Sequence, residues 1–145
     1  MIAITNRQRA QKIDLRLLKR IAAATLEELG MAEAELGIVI VGAKEMASLN
    51  EKFLNHEGPT DVITFDYENP ELPLHGEIFV CAEEAKRQAR EFRTTWQSEI
   101  VRYVVHGILH LTGHDDLQAA ARKKMKREEG RLVRELSRRF ALSKL

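Results

Sequence analysis

Cysteine, proline and long apolar runs are scarce in this sequence. The chain of 145 residues has three prolines and one cysteine, Cys81. A single thiol excludes an internal disulfide, and a lone cysteine inside an apolar run usually acts as a small hydrophobe. No apolar run approaches the roughly 18 residues of a membrane span, and the first residues lack the apolar region of a secretory signal. We therefore expect a cytoplasmic protein that does not enter a membrane.

Aromatic residues and net charge are also low. Aromatic residues make up 6% of the chain, which argues against an RNA-stacking platform like that of an RRM domain. The net charge is only +1, but residues 119–145 hold 10 Lys and Arg against 3 Glu, a local charge of +7. Such a segment either contacts nucleic-acid phosphates or forms a solvated helix face, and the sequence alone favours the solvated face.

The remaining composition predicts one folded domain over residues 1–145. Hydrophobic residues make up 44% and charged residues 31%, and no repeat or linker divides the chain. The apolar patterns predict the element order βαβαββααα, with a turn at 58–60. This order predicts an α+β fold, with a small mixed sheet covered by about five helices. The predicted strands are 2–5, 37–41, 61–65 and 77–81.

Apolar spacing and capping residues place the five helices. The first is predicted between Asp14 and Gly30, and the second and third lie around 46–53 and 82–92. The fourth helix should run from near Thr95 to Gly113, and the fifth from about Leu117 to Phe140. We expect Phe92 and Leu117 on the apolar faces of the third and fifth helices. A cleft is expected between the fourth helix and the edge of the sheet.

The stretch HGILHLTGHDD, residues 106–116, combines apolar helix sequence with five groups able to bind a metal. His106 and His110 are four residues apart, so they lie on one face of a helix and their imidazoles can converge. Gly113 should end the helix and turn the chain back, which brings a third group from residues 114–116 to the same point. Zinc in hydrolytic sites takes three protein ligands and leaves one position for water. The stretch therefore predicts a metal site at the end of the fourth helix.

Other interpretations of the same residues remain open. A histidine on an apolar helix is often a hydrogen-bonded core residue, and Asp115 or Asp116 can cap the fifth helix. Gly107 occupies the position of the general base in the His-Glu-x-x-His zinc proteases, so that mechanism is disfavoured.

Four motifs give the chain a resemblance to a known family. HGILHLTGHDD resembles the His-Gly-x-Leu-His-Leu-x-Gly-Tyr/His-Asp-His signature of the YbeY family of bacterial metal-dependent endoribonucleases. LNEKF at 49–53, PTDVITF at 59–65 and HGEI at 75–78 resemble three further motifs of that family, in the same order. The resemblance covers most of residues 35–140.

The resemblance implies a structure and a function. It implies one zinc ion per chain, held by His106, His110 and Asp116, and hydrolysis of phosphodiester bonds in single-stranded RNA. The implied role is rRNA maturation at the 3′ end of small-subunit rRNA, with ribosome quality control. The implied partners are ribosomal RNA and the ribosome, and neither DNA nor a membrane is expected.

Two positions depart from the family pattern. Asp116 stands where the family has its third metal-binding histidine, and two histidines with a carboxylate are also a known three-ligand set. His114 is the competing third ligand. Leu54 stands where the family has an arginine, so a bidentate grip on phosphate is missing there, and His56 or another basic residue would have to replace it.

The general base is not identified by the sequence. His114, Asp115, Glu77 and Asp61 are the candidates to surround the metal ligands and orient them. Two other classes of function remain: a ribosome-associated RNA-binding module without catalysis, and a metallohydrolase that acts on another substrate.

Overall fold

The computed structural model describes residues 1–56, 58 and 60–145 and confirms the predicted order of elements. The predicted turn at 58–60 includes Pro59, which lies outside the described residues. β2 and β4 each begin two residues earlier than predicted, because their first residues still pair in register across the sheet. The strands are β1 (Ile2–Asn6), β2 (Glu35–Val41), β3 (Val62–Asp66) and β4 (His75–Cys81).

The four strands form one mixed sheet in the order β1-β2-β4-β3. β1, β2 and β4 are parallel, whereas β3 is antiparallel to β4 and forms an edge of the sheet. β2 is buried along Ile38–Val41, as expected for a strand covered on both faces. The α+β prediction with a small mixed sheet is therefore confirmed.

Five helices cover the sheet, and none of those described is both long and apolar enough to cross a membrane. The larger core lies between one sheet face and α1, α4 and α5, and the smaller core lies beneath α2 on the other face. The helices are α1 (Leu15–Glu28), α2 (Ala43–Leu54), α3 (Ala82–Phe92), α4 (Trp96–Leu111) and α5 (Ala119–Arg139), followed by a 3₁₀ turn at Leu142–Lys144.

α4 packs closely on the sheet through Gly107. A Cβ atom at this position would lie 2.8 Å from Cγ2 of Ile78 in β4, closer than side chains tolerate. Glycine at residue 107 therefore sets how near the histidine-bearing helix comes to the sheet.

Two predicted apolar contacts are wrong. Leu117 is 86% exposed, because α5 begins only at Ala119 and Leu117 belongs to the preceding turn. Phe92 is 62% exposed at the last position of α3, where the helix runs past the core. In α5, Met125, Leu132 and Leu136 are buried as predicted.

Candidate metal centre and cleft

His106 and His110 lie on one face of the last two turns of α4. Their ring centroids are 4.8 Å apart, and the rings meet edge to face. Both side chains are partly accessible, at 29% and 28% exposure, although the helix around them is buried. The convergence that the four-residue spacing predicts is therefore present in the structure.

Asp116 joins the two histidines because the chain reverses at Gly113. Gly113 has φ +103°, a conformation that glycine adopts without strain. The reversal brings Oδ2 of Asp116 to 3.6 Å from Nε2 of His110, and one ligand atom from each of the three residues lies within 4.8 Å of the others. Zinc bonds to nitrogen and oxygen are about 2.0–2.2 Å long, so ligand atoms of one ion are at most about 4.4 Å apart and small side-chain rotations suffice. The residues fit a zinc ion.

Glu129 of α5 is a residue of this site that the sequence patterns did not predict. Its Oε1 lies 2.7 Å from Nδ1 of His106, and its Oε2 accepts from Arg102 at 3.0 Å. An ionised carboxylate only accepts, so Nδ1 of His106 carries the proton and Nε2 is left as the free ligand atom. A detectable signal existed, since Glu129 is the one charged residue among the buried positions of α5: Met125, Glu129, Leu132, Val133 and Leu136.

The electrostatics of the two histidines differ. Burial lowers the pKa of His106, but the hydrogen bond and charge of Glu129 outweigh burial, and the pKa lies above its usual value. Burial and the neighbouring His106 hold the pKa of His110 below its usual value. The pKa of Glu129 is held low, since its bonds to His106 and Arg102 outweigh the cost of burial. The carboxylate beside His106 is therefore ionised at neutral pH.

His114 and Asp115 lie away from the ligand atoms. Both line a separate recess with Thr112, Gly113 and Lys124, whereas His106 and Asp116 line the main cleft. Oδ1 of Asp115 accepts from the backbone N–H of Leu117 at 3.0 Å and so stabilises the turn before α5. Neither side chain belongs to the group of ligand atoms at the histidine pair, although the backbone of His114 lies beside the His110 ring.

Asp116 does not cap α5. The helix begins at Ala119 with Gln118 as its N-cap residue, and no side chain of the described residues makes a capping hydrogen bond there. The capping interpretation of Asp116 is therefore wrong, and the side chain is free to bind a ligand beside His110.

Glu77 lies on the opposite face of the sheet. Side chains alternate along a strand, and Ile78 faces α4, so Glu77 points away from it. Its carboxylate packs against Gly37 and accepts from the hydroxyl of Tyr67. The expectation that Glu77 surrounds the metal ligands is therefore corrected by strand geometry.

A cleft of about 320 Å³ opens beside the ligand group. The cleft lies between α4 and α5, and the sheet edge where it was expected contributes Asp61, the residue before β3. Asp61 is thus the one predicted surrounding residue that borders the cleft with His106 and Asp116. The cationic side chains that line the cleft are Arg102, Arg122 and Lys126.

Comparisons with known proteins agree with this arrangement. The family model described as Endoribonuclease YbeY matches residues 3–137. The endoribonuclease YbeY of an Anaeromyxobacter species is 37% identical over 82% of this chain, which spans 63% of that relative. The endoribonuclease YbeY of Elusimicrobium minutum is 38% identical over 81% of this chain and 85% of that relative. The chain belongs to the endoribonuclease YbeY family.

A solved structure shows the same fold. The solution structure of the protein TM1509 from Thermotoga maritima matches 94% of this chain and 89% of its own with a TM-score of 0.68, at 31% sequence identity. The YbeY resemblance that the sequence motifs predicted is thereby confirmed, including its single α+β fold.

The two departures from the YbeY pattern lie in different places. Asp116 stands where the family pattern has a histidine, and its carboxylate lies within reach of the histidine pair. Leu54 is the last residue of α2, is 45% exposed and is not among the residues that line the cleft. The cleft has its own cations on α4 and α5.

Proposed function

We propose that the chain is a single-strand-specific endoribonuclease of rRNA maturation that holds one zinc ion with His106, His110 and Asp116. The observation that carries this proposal is that one ligand atom from each of the three residues lies within 4.8 Å of the others. The three residues adjoin a cleft that contains three cationic side chains, and the chain belongs to the YbeY family. Two imidazoles and one carboxylate are a zinc donor set that leaves one position open.

The residues around the ligands have distinct roles in this proposal. Glu129 fixes the ring of His106 and directs Nε2 toward the metal. The bound metal supplies Lewis-acid chemistry for hydrolysis of a phosphodiester. Arg122 and Lys126 attract the RNA backbone to the cleft, and Asp61 faces the same space from β3. His114 and Asp115 hold the turn that presents Asp116.

The proposed partners follow from the family and the chemistry of the cleft. Ribosomal RNA and the ribosome are the proposed partners, with the 3′ end of small-subunit rRNA as the processed region. Ribosome quality control is part of the same proposal, and the cytoplasm is its proposed place of action. Unpaired RNA can bend its backbone and splay its bases into a cleft of this kind, whereas a rigid duplex keeps its bases stacked and paired.

A second candidate is an RNA-binding module without catalysis, and Leu54 favours it. The aliphatic side chain at residue 54 cannot hold a phosphate, and the resemblance places an arginine there. Such a module would bind ribosomes and leave RNA intact even when its metal site is fully occupied.

One experiment tests the proposal and separates the two candidates. Purified protein is loaded with zinc and incubated with a single-stranded RNA and with the same RNA in a duplex, with and without a chelator. We expect cleavage of the single strand only, abolished by the chelator and in the variant H106A/H110A. RNA bound but intact in the zinc-loaded protein would refute the nuclease proposal and favour the binding module.

A further inference from the structure

A recess at the corner between α3 and α4 is not used by the proposed mechanism. Its volume is about 280 Å³, near the lower end of the range for small-molecule sites, and it suits a group the size of one nucleobase. Its apolar walls are Ala89 of α3 and Trp96, the first residue of α4. Trp96 is half-buried and packs against the main core, which fixes the indole. This α3–α4 recess therefore presents an aromatic surface in a fixed position.

Two cations also line the α3–α4 recess, Lys86 and Arg90. They are four residues apart, so they share one face of α3. Neither side chain forms an ion pair among the residues that the structure describes. An ammonium and a guanidinium that face one space without a partner favour an anionic ligand.

The acidic residues of α3 are engaged elsewhere. Glu83 accepts from the backbone N–H of Ala43 at 2.9 Å, at the start of α2. Glu84 and Glu91 both pair with Arg87. No carboxylate of the described residues lines the recess, which leaves it a charge of +2. The main cleft, with three cations and four carboxylates, carries −1 without a metal, so the recess attracts an anion that the metal-free cleft repels.

The other polar groups that line the recess are neutral. The hydroxyl of Thr94 donates to Glu99 at 2.6 Å. The hydroxyl of Thr95 accepts from a backbone N–H in the first turn of α4 at 3.1 Å. Gln97 donates through Nε2 to the backbone oxygen of Ser143 at 3.3 Å. None of these lining groups carries a charge that would repel an anion.

The recess and the main cleft meet at the turn between α3 and α4. Thr94 of this turn lines the recess, and its partner Glu99 lines the cleft. An RNA strand that occupies the cleft therefore reaches the recess by crossing one turn of the chain.

We infer that the α3–α4 recess binds one nucleotide of the RNA strand outside the main cleft, with its base against Trp96 and its phosphate between Lys86 and Arg90. Proteins hold single-stranded nucleic acid by this combination of an aromatic surface and positive charge. An acidic peptide would satisfy the two cations but has no flat base for the indole. The inference rests on RNA being the substrate of the proposed function, and it adds a contact that needs no metal.

Trp96 is the only tryptophan of the chain, so its NMR signal reports on the recess alone. Protein labelled with ¹⁵N and loaded with zinc gives one indole N–H signal. The probes are adenosine 5′-monophosphate, adenosine and inorganic phosphate, none of which contains a phosphodiester bond to cleave. We expect a saturable shift with the nucleotide and much smaller shifts with adenosine or phosphate, because the recess binds base and phosphate together.

The double variant Lys86→Gln/Arg90→Gln tests the phosphate contact. Its matched control is Arg16→Gln/Lys19→Gln, which removes the same charge from exposed positions of α1 that do not line the recess. The α3 variant should bind the nucleotide about tenfold more weakly, the worth of one hydrogen bond to a charged group, and the control should not. With single-stranded RNA, the α3 variant should raise KM rather than lower kcat, because the recess binds the strand away from the metal.

An unmoved Trp96 signal with the nucleotide, or equal nucleotide affinities of the two double variants, would overturn the inference. An equal shift by inorganic phosphate would remove the base contact and overturn it too. A shift by phosphatidylglycerol vesicles but not by the nucleotide would assign the recess to a lipid surface instead. RNA cleavage with an unmoved Trp96 signal would leave the proposed nuclease standing, whereas a shifted signal without cleavage would refute the nuclease and keep the recess.

Discussion

Oε1 of Glu129 in α5 lies 2.7 Å from Nδ1 of His106 in α4. The two residues are 23 positions apart in the sequence, so the contact depends on how α4 and α5 pack. A carboxylate behind a metal-binding histidine fixes the ring and raises its basicity, and removing such a group costs about 10–100-fold in metal affinity. The α4–α5 interface thus positions the proposed ligand His106 as well as the wall of the cleft.

Glu129→Gln should weaken zinc binding by about 10–100-fold, because the neutral amide supports the His106 ring less well. Glu128→Gln is the matched control, since Glu128 pairs with Arg131 and does not line the cleft. Competition with a chromophoric chelator measures both affinities. Equal zinc affinities in the two variants would show that Glu129 stabilises only the helix interface.

Asp116 and Asp115 form a second matched pair. Asp116→Asn should bind zinc more weakly with little change in the melting temperature of the metal-free protein, because Asp116 caps no helix. Asp116→His should retain zinc, since imidazole is a good zinc ligand. Asp115→Asn should retain zinc too, because Asp115 holds the turn and lies away from the ligand atoms. Full zinc retention in Asp116→Asn would instead remove Asp116 from the ligand set.

The position of the histidine pair was predictable because it depends on local geometry. The four-residue spacing of His106 and His110 fixes a shared helix face, and Gly113 fixes the turn that returns Asp116. The order of the elements and the mixed character of the sheet followed from apolar patterns that each element carries in its own sequence. Features that depend on neighbouring residues in the sequence can therefore be predicted without knowing the tertiary structure.

Other features depended on packing between distant segments. Glu129 enters the site because α5 crosses α4; its place among the apolar positions of α5 marks it as buried but does not reveal that it meets His106. Glu77 was expected near the metal, but the alternation set by the β4 register turns it to the other sheet face. Leu117 was placed in a helix that begins two residues later, since capping signals locate helix ends poorly.

RNA binding should depend on two of the basic residues of α5 more than on their neighbours. Arg122→Gln with Lys126→Gln should weaken binding and lower the slope of log affinity against log salt by about 1.4, or about 0.7 for each phosphate that is no longer neutralised. Lys123→Gln with Arg127→Gln has the same charge change, and neither residue lines the cleft. Fluorescence anisotropy with single-stranded RNA across a salt series measures both. Equal effects in the two double variants would mean that the segment acts only through its net charge.

Replacing two glycines in helix interiors by alanine should change the stability of the protein in opposite directions. Gly107→Ala should destabilise the protein by about 1–3 kcal/mol, because the new Cβ meets Ile78. Gly130→Ala should stabilise it by about 0.5–1 kcal/mol, because its nearest neighbour is the flexible end of Arg134 at 3.3 Å. Urea denaturation of metal-free protein measures both changes. A neutral Gly107→Ala would show that α4 can move away from the sheet at no cost.

The most direct test of the metal-dependent nuclease is a titration of zinc into chelator-stripped protein, with cleavage of single-stranded RNA as the readout. Cleavage should rise in proportion to added zinc and stop rising at one equivalent per chain. The variant H106A/H110A should stay inactive over the same range. Cleavage by the stripped protein, or equal cleavage by that variant, would contradict a catalytic metal at His106, His110 and Asp116.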